Sequence, residues 1–174
     1  MAQRQAIRRE GDLAEKEFLR LVGGSVKSDD PRRGDARVQV DRAWHYLEIK
    51  QCHSNTVNQV RAIKFIPLII LAPNLAPRWV VLPPQEVVRL VAGRARGQHT
   101  EIPFESANLS LNGIPDRFRC PDQELPQRVE EAIRGARRYA AVGAELARLQ
   151  DSLEELKTEV RNRILQALET GDRS

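Results

Sequence analysis

The 174-residue sequence is poor in the residues that define several protein classes. Its two cysteines, Cys52 and Cys120, form no Cys-x-x-Cys pair, which argues against a disulfide framework or a cysteine zinc site and predicts a reduced, cytoplasmic protein. The longest apolar run, 65–72, contains Pro67 and is far shorter than the roughly 20 residues that span a bilayer. The basic N-terminus precedes no apolar stretch, so we expect neither a signal peptide nor a membrane partner.

Lysine is also scarce, with 5 lysines against 23 arginines in a chain of net charge +4. Arginine suits bidentate contacts to phosphate, whereas lysine is the residue whose pKa moves when it serves chemistry. Residues 1–121 carry a net charge of +6 and residues 122–174 carry −2. The basic N-terminal part therefore favours a polyanionic partner.

Periodicity and turn residues divide the first 121 residues into short elements. We predict helices over about 5–21, 55–64 and 85–96, and strands over 25–28, 36–40, 45–51, 66–72 and 79–82. Asn55 is the expected cap of the second helix, and residues 41–44 form the loop between the second and third strands. The alternation of helices and strands predicts an α/β fold.

The C-terminal part predicts a long helix over 126–168, because no proline interrupts its helical pattern. Apolar residues alternate at spacings of three and four from Tyr139 to Val160, as in a coiled coil. We therefore divide the chain into a domain of residues 1–121 and a helical dimerisation segment of residues 122–174. The alternative is two shorter helices, broken near Gly135 or Gly143, that pack back on the domain.

A pair of carboxylates marks the hairpin of strands 36–40 and 45–51. If Val40 faces His45, one face is mostly apolar and the other carries Asp35, Glu48 and Lys50. Asp35 then lies opposite Lys50 and diagonal to Glu48, within reach of one shared ligand.

This arrangement predicts a metal-assisted reaction. Two neighbouring carboxylates repel each other unless a cation lies between them, and oxygen ligands favour Mg²⁺, with Mn²⁺ as a substitute. A lysine on the same face can hold or deprotonate a water molecule, and phosphate oxygens can complete the coordination. The pattern indicates phosphodiester hydrolysis.

Asp35 and the tripeptide Glu48-Ile49-Lys50 resemble the motif of the PD-(D/E)XK nuclease superfamily, which includes restriction endonucleases and archaeal-type Holliday junction resolvases. The order of elements over residues 5–82 agrees, although Gly34 stands where the motif has proline. The resemblance implies a restriction endonuclease-like mixed sheet flanked by helices, with metal bound by Asp35, Glu48 and the Ile49 carbonyl. Lys50 would position the attacking water.

Residues 11–17 add a second similarity to the resolvases, a glycine followed four residues later by an active-site glutamate. The resemblance implies that Glu15 supports a water molecule or a second ion near the metal. The text of the motif is weak by itself, because Asp151 and Glu155-Leu156-Lys157 match it on a predicted helix. The alternative for Asp35, Glu48 and Lys50 is a solvated polar face with cross-strand ion pairs.

Further polar residues flank the motif and are candidates for DNA contacts: Arg32, Arg33, Arg37, Arg42, Gln59 and Arg61. The arginines lie on predicted loop or polar-face positions and suit backbone phosphates. A solvated surface is the alternative for all six.

Together these features predict a Mg²⁺-dependent DNA endonuclease that acts as a homodimer, of either the restriction or the junction-resolving type. One alternative is a non-catalytic DNA-binding or assembly protein on a nuclease-like fold that oligomerises through its C-terminal helix. Another is a coiled-coil scaffold whose N-terminal domain docks a partner.

Overall fold

A computed structural model describes residues 13–171, which form a mixed α/β fold. Helix α1 is described over residues 13–21. The remaining elements are β1 Ser25–Lys27, β2 Ala36–Val40, β3 Ala43–Gln51, β4 Thr56–Val60, β5 Leu68–Leu71, β6 Trp79–Leu82, α2 Pro84–Ala92, β7 Ala107–Ser110, β8 Arg119–Cys120, α3 Leu125–Ala136 and α4 Ala140–Gly171. No helix within residues 13–171 is both long and apolar enough to cross a bilayer.

Six strands form the main sheet, in the order β1-β2-β3-β5-β6-β8. Among these described strands, β3 and β5 run parallel and the other neighbours are antiparallel. A separate two-stranded sheet joins β4 to β7. The predicted α/β class, with a mixed sheet and a long C-terminal helix, is confirmed at this level.

The central strands β5 and β6 are buried on both faces, as their unbroken apolar sequences predict. Alternate residues of these strands therefore belong to two different hydrophobic cores. Ile69, Leu71, Trp79 and Val81 pack with buried residues of α1 and α3, whereas Leu68, Ile70, Val80 and Leu82 pack with α2, β4 and β7. Because both faces of β5 are buried, its position in the sheet is fixed. The pairing of β3 with β5 then fixes the position of β3.

The β2–β3 hairpin differs from the sequence prediction in its turn. Val40 pairs with Ala43, not with His45, so the turn contains only Asp41 and Arg42. Both turn residues have positive φ, 51° and 65°, as the twist of a two-residue hairpin requires. The register shifts by two residues, an even number, so each side chain keeps its predicted face.

The predicted helix over 55–64 is wrong. The segment forms strand β4, which pairs with the distant strand β7, followed by a single 3₁₀ turn at Ala62–Lys64. Val57 and Val60 are buried against β7, where β-branched side chains pack well. Gln59 has φ 55°, a left-handed conformation that interrupts any helix.

The C-terminal region forms two helices, because a 3₁₀ turn at Arg137–Tyr139 separates α3 from α4. Helix α3 packs on the sheet and buries Leu125, Val129, Ala132 and Ile133 in the core. These features agree with the predicted alternative of two helices. The second half of α4 instead exposes its apolar residues, as a helical dimerisation segment would: Leu156, Val160, Ile164, Leu165 and Leu168.

The remaining predicted helices and strands agree with the structure apart from their ends. Strand 25–28 forms as β1 and helix 85–96 forms as α2, which ends four residues early at Ala92. The predicted start of the first helix, residues 5–12, lies outside the described residues.

Candidate active site

Asp35 and Glu48 come together where strand β2 begins. The Asp35 N–H donates to the Leu47 carbonyl at 2.8 Å, and the Ile49 N–H donates to Asp35 Oδ2 at 2.7 Å. Because Ala36 pairs with Leu47, the ladder places Asp35 beside Glu48 and not opposite Lys50, which corrects the predicted register. The motif residues share one end of the hairpin.

Glu48 is a buried carboxylate held by two lysines. Its side chain is 8% exposed, with Oε1 lying 2.9 Å from Lys50 Nζ and Oε2 lying 2.8 Å from Lys64 Nζ. Burial by itself raises the pKa of Glu48, but attraction and hydrogen bonds from Lys50 and Lys64 outweigh it. The pKa of Glu48 therefore lies below its usual range, and the carboxylate is ionised.

Asp35 shows the opposite shift. Burial raises its pKa, the negative charge of Glu48 raises it further, and the Ile49 N–H and the two lysines only partly offset these effects. Two neighbouring carboxylates with pKa values shifted in opposite directions are typical of acid–base and metal sites.

Lys64 is the residue of this site that the sequence interpretation missed. It ends the 3₁₀ turn Ala62–Lys64, and its side chain is only 8% exposed. The sequence offered one signal, since Lys64 is one of only five lysines. Helix α4 packs behind this turn, because Gly143 lies so close to Phe65 that a Cβ there would come within 2.7 Å of the Phe65 ring.

A basic cleft of about 750 Å³ opens next to this turn. Its walls come from the loop before β2, the β4 region, the loop before β7, and helix α4. Five cationic residues line it, against three acidic ones: Arg32, Arg33, Arg61, Lys64 and Lys157 against Asp30, Glu105 and Glu154. We call it the α4 cleft.

Four of the six predicted DNA contacts line the α4 cleft, namely Arg32, Arg33, Gln59 and Arg61. Gln59 and Arg61 lie on and just after strand β4, not on the predicted helix. Arg33 also lies over the Tyr46 ring, 4.2 Å from its centroid.

Arg37 and Arg42 lie elsewhere. Arg37 forms an ion pair with Asp29 at 2.6 Å and lies over the Trp44 ring. Arg42 lies in the hairpin turn, at the opposite end of β2 from Asp35. Five strand residues separate the two ends, about 20 Å at the usual rise per residue.

Glu15 lies on helix α1, and its carboxylate forms a 3.5 Å ion pair with Lys27 Nζ. Lys27 pairs with Ala36 across the β1–β2 ladder. The Glu15 ion pair therefore lies at the end of the sheet where Asp35 enters β2.

The donors at the hairpin suit a hard cation, since Asp35, Glu48 and the Ile49 carbonyl all offer oxygen. Burial is the main cause of the raised pKa of Asp35 and the charge of Glu48 adds to it, so a positive charge between the carboxylates would relieve that repulsion. Within residues 13–171, no three His, Cys, Asp or Glu side chains are grouped to hold a metal. A bound ion would have to displace Lys50 or Lys64 from Glu48.

Comparison with known proteins finds no matching family model, no similar curated protein and no similar solved structure. The function is therefore inferred from the residues of the site and their geometry alone.

Proposed function

We propose that this protein is a Mg²⁺-dependent DNA endonuclease with a PD-(D/E)XK-type site on a restriction endonuclease-like fold. The observation that carries the proposal is the juxtaposition of Asp35, Glu48 and Lys50 at one end of the β2–β3 hairpin. The carboxylates have shifted pKa values, and the α4 cleft, which is lined by the Glu48 partner Lys64, has an excess of positive charge.

In this proposal Asp35, Glu48 and the Ile49 carbonyl hold the ion, which when bound stabilises negative charge on the phosphate and lowers the pKa of water. Lys50 leaves Glu48 and orients the attacking water toward phosphorus. Glu15 supports a second water or ion. Arg32, Arg33, Arg61 and Gln59 hold the DNA backbone by its phosphates.

Restriction-type cleavage and junction resolution are both compatible with this site. A homodimer through α4 would present two sites to two strands, since the second half of that helix is apolar and exposed. Cys52 and Cys120 are buried and form no disulfide, which supports the proposed cytoplasmic location.

The test is cleavage of supercoiled plasmid and branched DNA in Mg²⁺ and in EDTA. Glu48→Gln and Lys50→Ala should abolish cleavage. Glu155→Gln is the matched control, because Glu155 belongs to the second Asp…Glu-x-Lys match on the exposed face of α4. Equal cutting by Glu48→Gln and Glu155→Gln would refute the site.

A non-catalytic DNA-binding or assembly protein is the second candidate. It is favoured by one observation, that lysines already hold both oxygens of Glu48. It predicts Mg²⁺-independent DNA binding with no cleavage of any substrate.

A further inference from the structure

The α4 cleft has walls that belong to distant parts of the chain. Gln150, Leu153, Glu154 and Lys157 of α4 face the loop residues Gln98 to Ser106 and the turn that carries Lys64. Helix α4 is therefore part of the cleft as well as a candidate dimerisation element.

A side-chain bridge narrows the cleft. Lys157 of α4 forms an ion pair with Glu105 on the facing loop, and the pKa of Glu105 is lowered chiefly by that hydrogen bond. This bridge spans the cleft between α4 and the loop, and the space inside is that of a small-ligand site, too small to take in a DNA duplex. The volume of about 750 Å³ suits a ligand of a few nucleotides.

The charges inside the cleft suit phosphates. Arg32 and Lys157 form ion pairs with acidic partners, whereas among the described residues neither Arg33 nor Arg61 forms one. Arg33 lies over the Tyr46 ring, with Asp29 and Asp30 nearby, and the charge of Arg61 contributes to the lowered pKa of Glu105. Lys64 also lines the cleft, and its ammonium forms an ion pair with Glu48. None of the described residues that line the cleft is Phe, Tyr or Trp, so affinity would come from phosphate contacts and not from stacking.

We infer that the α4 cleft binds a short unpaired nucleic-acid strand, with its phosphates directed at Arg33 and Arg61. The inference rests on the proposed nuclease function and deepens it, because it names the substrate class as DNA with an unpaired segment. The strand enters between α4 and the loop before β7 and reaches the Asp35–Glu48 site past Lys64.

The experiment measures binding in EDTA, so that cleavage plays no part. Fluorescence anisotropy compares a blunt hairpin duplex with the same hairpin carrying a 3′ or a 5′ single-stranded extension. The wild type should bind at least one extended hairpin severalfold more tightly than the blunt one. Equal affinity for all three would overturn the inference.

Each variant, including the control, removes one positive charge. Arg33→Gln and Arg61→Gln should remove the preference for the extension, and each should lower the slope of log affinity against log salt by about 0.7. Arg163→Gln is the control, since Arg163 lies on α4 and pairs with Glu159 away from the cleft. Loss of the preference in Arg163→Gln as well would overturn the inference.

A variant that binds more tightly cannot be explained by misfolding, so a gain of affinity is a separate test of the cleft. Gln150→Lys adds a cation to the α4 wall and should tighten binding of the extended hairpin, whereas Asn162→Lys adds the same charge to α4 outside the lining residues. Equal tightening by both variants would overturn the inference. Cleft-dependent binding without any Mg²⁺-dependent cleavage would refute the nuclease and leave the cleft assignment standing.

Discussion

The buried ammonium of Lys64 lies 2.8 Å from Glu48 Oε2, so two lysines share one carboxylate beneath the β2–β3 hairpin. An unpaired buried carboxylate is costly, and each ammonium stabilises the ionised form. The arrangement links the site to α4, because the turn that carries Lys64 is also the turn on which Gly143 packs.

Replacing Lys64 with methionine should destabilise the protein. The change keeps most of the side-chain volume but leaves Glu48 Oε2 without its charged donor, a loss of about 1.5–3 kcal/mol in the free energy of unfolding. Urea denaturation at neutral pH measures it. Lys16→Met is the control, because Lys16 is exposed on α1.

The same variant should raise the pKa of Glu48. In the wild type this pKa is below its usual value, so the stabilisation is complete above the unfolded pKa and is lost as pH falls through the folded pKa. The cost of Lys64→Met should therefore shrink in acid. An equal cost for Lys64→Met and Lys16→Met at neutral pH would contradict the assigned ion pair.

Asp35→Asn should stabilise the protein at neutral pH. The pKa of Asp35 is raised in the folded state, so the favourable contribution of the protonated acid is present below its ordinary pKa and is lost as pH rises through the folded value. Asparagine carries no charge to repel Glu48, and its carbonyl oxygen can still accept from the Ile49 N–H. A gain in stability at a site residue is expected where function maintains an unfavourable charge pair.

The measurement is the unfolding free energy of wild type and Asp35→Asn over about pH 3 to 8. The difference in unfolding free energy between Asp35→Asn and wild type should increase as pH rises above the ordinary aspartate pKa and then become constant. Asp151→Asn, the same substitution at an exposed position on α4, is the control. A difference in unfolding free energy that is the same at every pH would refute the raised pKa of Asp35.

Sequence periodicity predicted which face of the hairpin each residue occupies, but it could not fix the register. A period of two is unchanged by a shift of two residues, and the turn sequence Asp41-Arg42 lacks the glycine that usually marks a two-residue turn. Asp35 therefore lies on its predicted face of the hairpin, but the residue opposite it on β3 is Glu48 and not Lys50.

Lys64 could not be predicted because its position depends on a distant pairing. Asn55 is a good helix cap and favoured a helix over 55–64, but strand β7, about 50 residues later, pairs with that segment. Tertiary pairing prevailed over the local signal, and the turn after β4 then placed Lys64 on Glu48.

Arg42→Gly should stabilise the hairpin. Arg42 has φ 65°, a conformation that costs a non-glycine residue about 1–2 kcal/mol and that glycine adopts freely. Asp41 is left in place, because Arg134 and Arg137 form ion pairs with it. Thermal unfolding should show a higher Tm.

The same variant tests Arg42 as a DNA contact. Arg42 lies far from Asp35 along β2, so DNA affinity should change less in Arg42→Gly than in Arg33→Gln, whose side chain lines the α4 cleft. An equal loss of affinity would place the DNA across the whole hairpin.

The exposed apolar residues of α4 should mediate the proposed homodimer. Leu156, Val160 and Ile164 recur every four residues, so they lie along one side of the helix. A single apolar stripe of this kind is typical of a face that packs on a second helix. Val160→Glu places a charge at its centre and should give a monomer by light scattering.

Asn162→Glu provides the matched control, because it adds the same charge two residues away and on a different side of the same helix. It should leave the mass unchanged. Point variants are preferable to a truncation after Pro121, because a truncation would remove the four core residues of α3 and unfold the sheet that it covers. If Val160→Glu and wild type have the same mass, whether monomeric or dimeric, the α4 interface is wrong, and the two active sites must act on their strands separately.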